Sequence, residues 1–106
     1  MSELPRTSRQ TVKVLEAFVR APREWRYGYD LITATDISAG TLYPLLSRLT
    51  HLGWLDTKWE KSAEPGRPQR HLYRLTGVGH RGAREVLSRA AERGWTGKRH
   101  ALPAAR

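Results

Sequence analysis

Five leucines in the segment Ala39–Trp54 recur at intervals of three and four residues. This spacing places them on one face of a helix, where they can be buried together. Ser38 or Gly40 can cap the helix, and Gly53 suits its left-handed C-terminal end. Pro44 indicates that the helix begins close by, because a proline in a helix interior costs ~3 kcal/mol. The leucines are Leu42, Leu45, Leu46, Leu49 and Leu52.

Two further helices are predicted upstream. The first begins after Thr7 or Ser8, either of which can accept from the free N–H groups of the opening turn. It ends at the Ala21–Pro22 pair, because proline disfavours a helical conformation in the residue before it. The second covers Tyr27–Ala34, and the short connection Asp36–Ser38 joins it to the leucine-rich helix. Their apolar positions are Val12, Leu15, Phe18 and Val19 in the first and Leu31 and Ile32 in the second.

After Gly53 the period of the pattern changes from 3.6 residues to 2, which is typical of strands. The segments 54–60 and 69–75 both alternate, and the loop 61–68 between them contains two prolines and a glycine. Such a loop is too long for a two-residue turn, so the sequence predicts a projecting hairpin with a basic tip. Trp54, Trp59 and Tyr73 alternate along the strands beside leucines, and we expect all three rings in the core.

Thr76 is the predicted cap of a fourth helix over residues 77–93, which Gly94 ends. The apolar stripe of this helix is narrow and cannot be hidden by one helix alone. It packs either on the first helix or on a second copy of the chain, and we expect the second copy. Residues 95–106 form a basic tail that we expect to be flexible. The stripe consists of Ala83, Val86, Leu87 and Ala90.

Three helices followed by a two-stranded hairpin match the winged helix-turn-helix pattern. The predicted fold class is therefore α+β and mainly helical. We assign residues 1–76 to a winged DNA-binding domain, 77–94 to a C-terminal dimerisation helix and 95–106 to the tail.

Composition narrows the possible functions. The 106 residues carry a formal net charge of +9, and a domain this basic most often binds nucleic acid. The chain has no cysteine and its four histidines lack metal-ligand spacing, so we expect no disulfide, metal or other cofactor. No nucleophile–base arrangement is visible, and we expect no enzymatic activity. The absence of a long apolar run argues against a membrane partner or a secretory signal and favours a cytoplasmic protein.

Two runs, GTLYPLLSRL from Gly40 and GRPQRHLYRLT from Gly66, together with their spacing, resemble the PadR family of bacterial transcription regulators. GYDL from Gly28 fits the second helix of that family, and the resemblance extends from about Val12 to Leu87. It implies a homodimeric repressor that binds two-fold-related double-stranded DNA and is released by a small-molecule effector or another signal. It also implies that the third helix enters the major groove, while the wing reaches the flanking backbone or minor groove.

The residues expected to contact DNA lie on the outer side of the third helix and on the wing. Thr41 and Ser47 can donate or accept hydrogen bonds, and Arg48 can pair with phosphate or guanine. Ser47 stands where the family often has a basic residue, which weakens one expected contact. Arg67 is the strongest wing candidate, because its glycine and proline neighbours stiffen the tip. The full set is Ser38, Gly40, Thr41, Tyr43, Pro44, Ser47, Arg48, His51, Lys61, Arg67 and Arg70.

Three alternatives stay open at this point. Each of these surfaces can simply be solvated, as charged and mixed faces commonly are. A winged-helix adaptor for an acidic protein partner fits the same charge, and the missing cation at Ser47 favours it. A single-stranded nucleic acid binder would stack bases on exposed tryptophans.

Overall fold

The computed structural model describes residues 8–61, 66 and 69–95 of the chain. The predictions for most of the loop 61–68 and for the tail after Trp95 therefore fall outside the described residues. Three helices, a hairpin and a fourth helix follow in the predicted order, which confirms the mainly helical α+β class. The elements are α1 (Arg9–Val19), β1 (Arg26–Tyr27), α2 (Gly28–Thr35), α3 (Ala39–His51), β2 (Leu55–Glu60), β3 (Arg70–Leu75) and α4 (Gly77–Glu92).

Local hydrogen bonds define the turn between α2 and α3. Asp36 adopts the left-handed conformation with φ 59°, which aspartate tolerates better than most residues. The Thr35 hydroxyl donates to the Leu31 carbonyl at 2.6 Å and accepts from the Ile37 N–H at 3.3 Å. These contacts end α2 at Thr35, and α3 starts after the three residues of the turn. The predicted helix-turn-helix connection, Asp36–Ser38, is confirmed.

The C-terminal end of α3 has a glycine in the left-handed conformation, as the sequence predicts. Gly53 has φ 80°, and its N–H donates to the Thr50 carbonyl at 3.0 Å. The Trp54 N–H donates to the Leu49 carbonyl, also at 3.0 Å. These two bonds satisfy carbonyls that would otherwise lack partners at the helix end. Gly53 therefore ends α3 as predicted and turns the chain towards β2.

Pro44 lies near the N-terminal end of α3. The helix begins at Ala39, so Pro44 is its sixth residue and belongs to the second turn. A regular helix would give the Gly40 carbonyl a donor from residue 44, and proline has no N–H to supply it. Gly40 is exposed, so water can bind that carbonyl. Ser38 is the N-cap of α3, one of the two predicted caps, so the helix begins close to Pro44 as the sequence indicated.

The sheet has three strands, where the sequence predicted two. β1 pairs antiparallel with β3, which gives the strand order β1-β3-β2. In the hairpin, Leu55 lies opposite Leu75 and Trp59 lies opposite His71. β1 contains only two residues, too few to show a period, and the sequence pattern therefore misses it. Its pairing fixes the base of the wing to the start of α2.

The apolar stripe of α4 is buried inside the single chain. Its four side chains are at most 3% exposed and belong to the same core as the apolar residues of α1. The structure therefore corrects the expected partner of the stripe, because α1 and the core already cover the side chains that a second copy would need. The stripe residues are Ala83, Val86, Leu87 and Ala90.

Trp54 is the point where α3, the sheet and α4 meet, and its side chain is 2% exposed. Its carbonyl accepts from the Thr76 N–H at 2.9 Å. The Thr76 hydroxyl donates to the Gly53 carbonyl at 2.7 Å and accepts from the Gly79 N–H at 2.9 Å, which confirms the predicted cap of α4. A Cβ on Gly79 would lie 2.7 Å from the Trp54 carbonyl carbon, and one on Gly82 would lie 2.8 Å from the indole Cε2. The two glycines therefore allow α4 to approach Trp54 closely.

We expect Gly79→Ala to lower the free energy of unfolding by about 1–3 kcal/mol, because the added methyl group must displace the Trp54 backbone. Gly40→Ala is the matched control, since a Cβ there meets nothing within 4 Å. The control should be neutral or stabilising by roughly 0.5–1 kcal/mol, because alanine favours a helix more than glycine does. Urea denaturation measures both variants. Equal stability of the two would contradict the close approach of α4.

Candidate nucleic-acid interface

The outer face of α3 carries every residue that the sequence placed there, and all of them are exposed. The buried side holds Leu42, Leu45, Leu46 and Leu49, as the spacing predicted, while Leu52 is partly buried. The His51 ring Nδ1 lies 3.2 Å from the Ser47 carbonyl, which holds the imidazole along the helix. The outer face of α3 consists of Ser38, Gly40, Thr41, Tyr43, Pro44, Ser47, Arg48 and His51.

Two of the three predicted wing cations are described and exposed, namely Lys61 and Arg70, while Arg67 lies outside the described residues. The Arg70 guanidinium stands 4.8 Å from the centre of the Tyr27 ring, and the Tyr27 hydroxyl donates to Glu60 at 3.0 Å. Hydrogen bonding to Tyr27 raises the pKa of Arg70 above its ordinary value. Arg70 is thus a permanent cation held at the base of the wing tip.

Trp59 was expected in the core, but 61% of its side chain is exposed. The alternation of β2 is correct, yet only its first residue, Leu55, is buried, because the hairpin extends beyond the helices that cover it. The Trp59 ring instead stacks on His71, with ring centres 4.1 Å apart and planes 17° from parallel. His71 in turn contacts Tyr73 at 4.4 Å. The predicted burial is right for Trp54 and Tyr73 and wrong for Trp59.

His71 is fixed from both sides of its ring. Its Nδ1 lies 2.9 Å from the Tyr73 hydroxyl, and its Nε2 is hydrogen-bonded to the Thr57 hydroxyl. Burial lowers the pKa of His71 from its ordinary value of 6.5. Burial, together with the nearby phenol of Tyr43, raises the pKa of Tyr73 to about 12. Around neutral pH the imidazole is therefore mostly uncharged and the Tyr73 phenol is protonated.

A groove of about 690 Å³ lies between the start of α2, the outer face of α3 and the wing. Its position depends on Gly28, where a Cβ would lie 2.8 Å from Cε1 of the Tyr43 ring, so only glycine lets that ring pack here. The sequence pattern treated these aromatic residues separately and gave no sign that they share one space. We call this the aromatic groove, and its rings are Tyr27, Tyr29, Tyr43, Trp59 and His71.

On the opposite face of the sheet, two cations lie against the ring of Trp25. Lys58 precedes Trp59 on β2, so the alternation of a strand turns its side chain to the other face. The Lys58 ammonium lies 4.4 Å, and the Arg74 guanidinium 4.3 Å, from the centre of the Trp25 ring. Such distances are typical of cation–π contacts. No periodicity in the sequence indicates a role for Trp25, because this contact depends on the pairing of β1 with β3.

Two kinds of site are absent from the part of the chain that the structure describes. No group of three or more His, Asp or Glu side chains there could hold a metal ion. Within the same residues, no helix is both long and apolar enough to cross a membrane.

Comparison with protein families links this geometry to known regulators. The model of the transcriptional regulator PadR-like family matches residues 19–85, which include α2, α3, the wing and the first half of α4. Among curated proteins, none matches the chain.

Solved structures of transcription regulators are also similar to this chain. A PadR family transcriptional regulator from Eggerthella lenta is 31% identical, with a TM-score of 0.65 over 80% of this chain and 78% of that one. A PadR-like transcription factor from Bacteroides fragilis is 28% identical, with a TM-score of 0.64 over 81% and 86%. The PcaV regulator of Streptomyces coelicolor, solved in complex with its natural ligand, is 29% identical, with a TM-score of 0.65 over 89% and 62%.

We expect the His71 imidazole to titrate with a midpoint below pH 6.5, because burial in the stack disfavours its charged form. NMR of the ring Cε1–H measures the midpoint, and His71→Gln assigns the signal. Trp59→Ala opens the ring to water and should move the midpoint back towards 6.5. Because the folded pKa is the lower one, this site stabilises the fold above pH 6.5 and loses that contribution as the pH falls through the midpoint. A midpoint above 6.5 would contradict the burial of the ring.

Proposed function

Because the chain belongs to the PadR-like family of transcriptional regulators, we propose that it is a homodimeric repressor that occludes a specific operator in double-stranded DNA. The observation that carries the proposal is the outer face of α3, the second helix of a helix-turn-helix pair, where the N-cap Ser38 and seven residues of the helix are exposed. In this class of fold that helix enters the major groove.

On this proposal, sequence is read mainly by neutral side chains. The hydroxyl groups of Thr41 and Ser47 exchange hydrogen bonds with base edges, and the Tyr43 ring meets a phosphate or a thymine methyl group. Arg48 pairs with phosphate or guanine. With Ser47 in place of a cation, α3 contributes specificity more than charge.

Attraction to the phosphates comes mainly from outside α3. Arg48 is the one Lys or Arg among its 13 residues, while the chain as a whole carries +9. The wing supplies the cations Lys61, Arg67 and Arg70, and a rigid hairpin suits a narrow, negative minor groove. Each phosphate that they neutralise releases counterions and strengthens binding at low salt.

The length of α3 favours a dimer. One helix of 13 residues spans only a few base pairs, and two copies related by a two-fold axis double the length of DNA that is read. The two α3 helices would then occupy successive major grooves about one helical turn apart. Because α4 uses its apolar stripe within one chain, the second copy would pack on a different face.

Release by a small-molecule effector is the last part of the proposal. The related PcaV regulator was solved with its natural ligand, which supports this class of control. In the present chain a groove of about 630 Å³ runs along α1, with Arg9, Lys13 and Trp95 among its lining residues. That volume is within the usual range for small-molecule sites.

We expect selection from random duplexes to enrich a two-fold symmetric motif whose half-sites lie about one turn apart. Thr41→Val and Ser47→Ala should each change the preferred base at one position per half-site, because each removes a hydroxyl and little volume. Ser88→Ala, an exposed serine on α4, is the matched control and should leave the motif unchanged. If both α3 variants kept the wild-type motif, the assigned reading surface would be wrong. If no duplex were enriched, the adaptor alternative would be favoured.

With the enriched duplex, the logarithm of affinity should fall linearly with the logarithm of salt concentration, with a slope near −5 for about six neutralised phosphates. Fluorescence anisotropy at several salt concentrations measures the slope. A mixed-sequence duplex is the control, and it should bind more weakly with a similar slope, because the phosphate contacts are common to both. A slope near zero would contradict the role assigned to the wing cations.

A further inference from the structure

The large apolar side chains that remain exposed are not scattered. Among the described residues four are exposed, and three of them, Tyr29, Tyr43 and Trp59, line the aromatic groove. The fourth, Val78, lies at the start of α4. A contiguous apolar patch on a small domain usually marks a contact surface.

We infer that the aromatic groove receives the sugar–phosphate backbone of one DNA strand, with the Trp59 indole packed against a deoxyribose. The inference rests on the proposed function. It adds an apolar contact that lies between the outer face of α3 and the cations of the wing. The position of the groove between α3 and the wing is the first observation that supports the inference. Tyr43 belongs both to the outer face of α3 and to the groove, while Trp59 and His71 belong to the wing. A strand that passes from the recognition helix to the wing must cross this space.

The exposure of the rings favours a large partner over a small molecule. Small-molecule sites bury most of the surface of the ligand inside a concave pocket. Here Tyr29 is 73% exposed and Trp59 61%, so the rings project outward and meet a partner that brings its own extended surface. A DNA strand is such a surface.

The charge of the groove fits the sugar portion of the backbone. Arg70 and Asp30 are the only Lys, Arg, Asp or Glu residues among the described lining, so the groove itself is close to neutral. A deoxyribose is neutral and partly apolar, and it lies between two phosphates. In this arrangement Arg70 and Lys61 meet the flanking phosphates, while Trp59 and Tyr29 cover the sugar.

The stacking of Trp59 on His71 also holds the indole in one orientation. His71 supports one face of the indole at 4.1 Å and is itself held by the Tyr73 and Thr57 hydroxyl groups. A side chain fixed in this way loses little rotamer freedom when a partner binds. The opposite face of the indole is left for the sugar.

The test compares an apolar variant with an ionic one on the duplex enriched in the selection. Trp59→Ala is expected to weaken binding by about tenfold at every salt concentration, with the slope unchanged, because the lost contact is apolar. Trp59→Phe should keep most of the affinity. Arg70→Ala is the ionic comparison, and it should flatten the slope by about 0.9. Circular dichroism and thermal unfolding of each variant check that the fold is retained.

A second measurement reports the contact directly. Acrylamide quenching of wild type and of Trp59→Phe isolates the Trp59 signal, which should be strongly quenched in free protein and protected in the duplex complex. Wild-type affinity for Trp59→Ala, or unchanged quenching on binding, would overturn the inference and leave the proposed function intact. A wild-type protein that bound no duplex would overturn both. A loss in Trp59→Ala confined to single-stranded oligonucleotides would also overturn it, since the groove would then stack unpaired bases.

Discussion

The geometry of the whole site depends on Trp54. Its N–H completes the end of α3, its carbonyl receives the Thr76 N–H at the start of α4, and its indole lies beneath Gly82. One buried residue thus fixes α3, the first strand of the hairpin and α4 relative to one another. Because interiors are close-packed, this junction resists small changes in angle. The distance from α3 to the wing is therefore set in the buried core, away from the exposed outer face of α3.

Local rules were enough to predict much of this fold. The leucine period, the left-handed glycine after α3 and the threonine cap of α4 each depend on neighbouring residues, and all are confirmed. The failures are non-local. β1 exists only because β3 lies beside it, and Gly79 and Gly82 are needed only because Trp54 lies beneath them. A sequence pattern shows that a glycine is present, whereas only the packed structure shows what it must accommodate.

The candidate site divides in the same way. A helix period identifies which face is polar, so all eight positions of the outer face of α3 could be predicted to be exposed. The period of α4 identifies an apolar face equally well, but it cannot say whether α1 or a second chain covers that face. The alternation of β2 places Trp59 on the correct side of the sheet, yet burial depends on how far the helices extend. Periodicity therefore predicts which way a side chain points. Which residues cover that side chain depends on the tertiary structure.

The distribution of charge separates two tasks that many DNA-binding helices combine. A cation on the recognition helix attracts every phosphate nearby and so adds affinity for all sequences. In α3 the position of such a cation is taken by Ser47, and the remaining polar groups are mostly neutral. Neutral groups gain little from non-specific DNA, but they cost free energy when a wrong base leaves them unpaired. Under the proposed function, cations placed on the wing would let the affinity for DNA and the choice of sequence change independently.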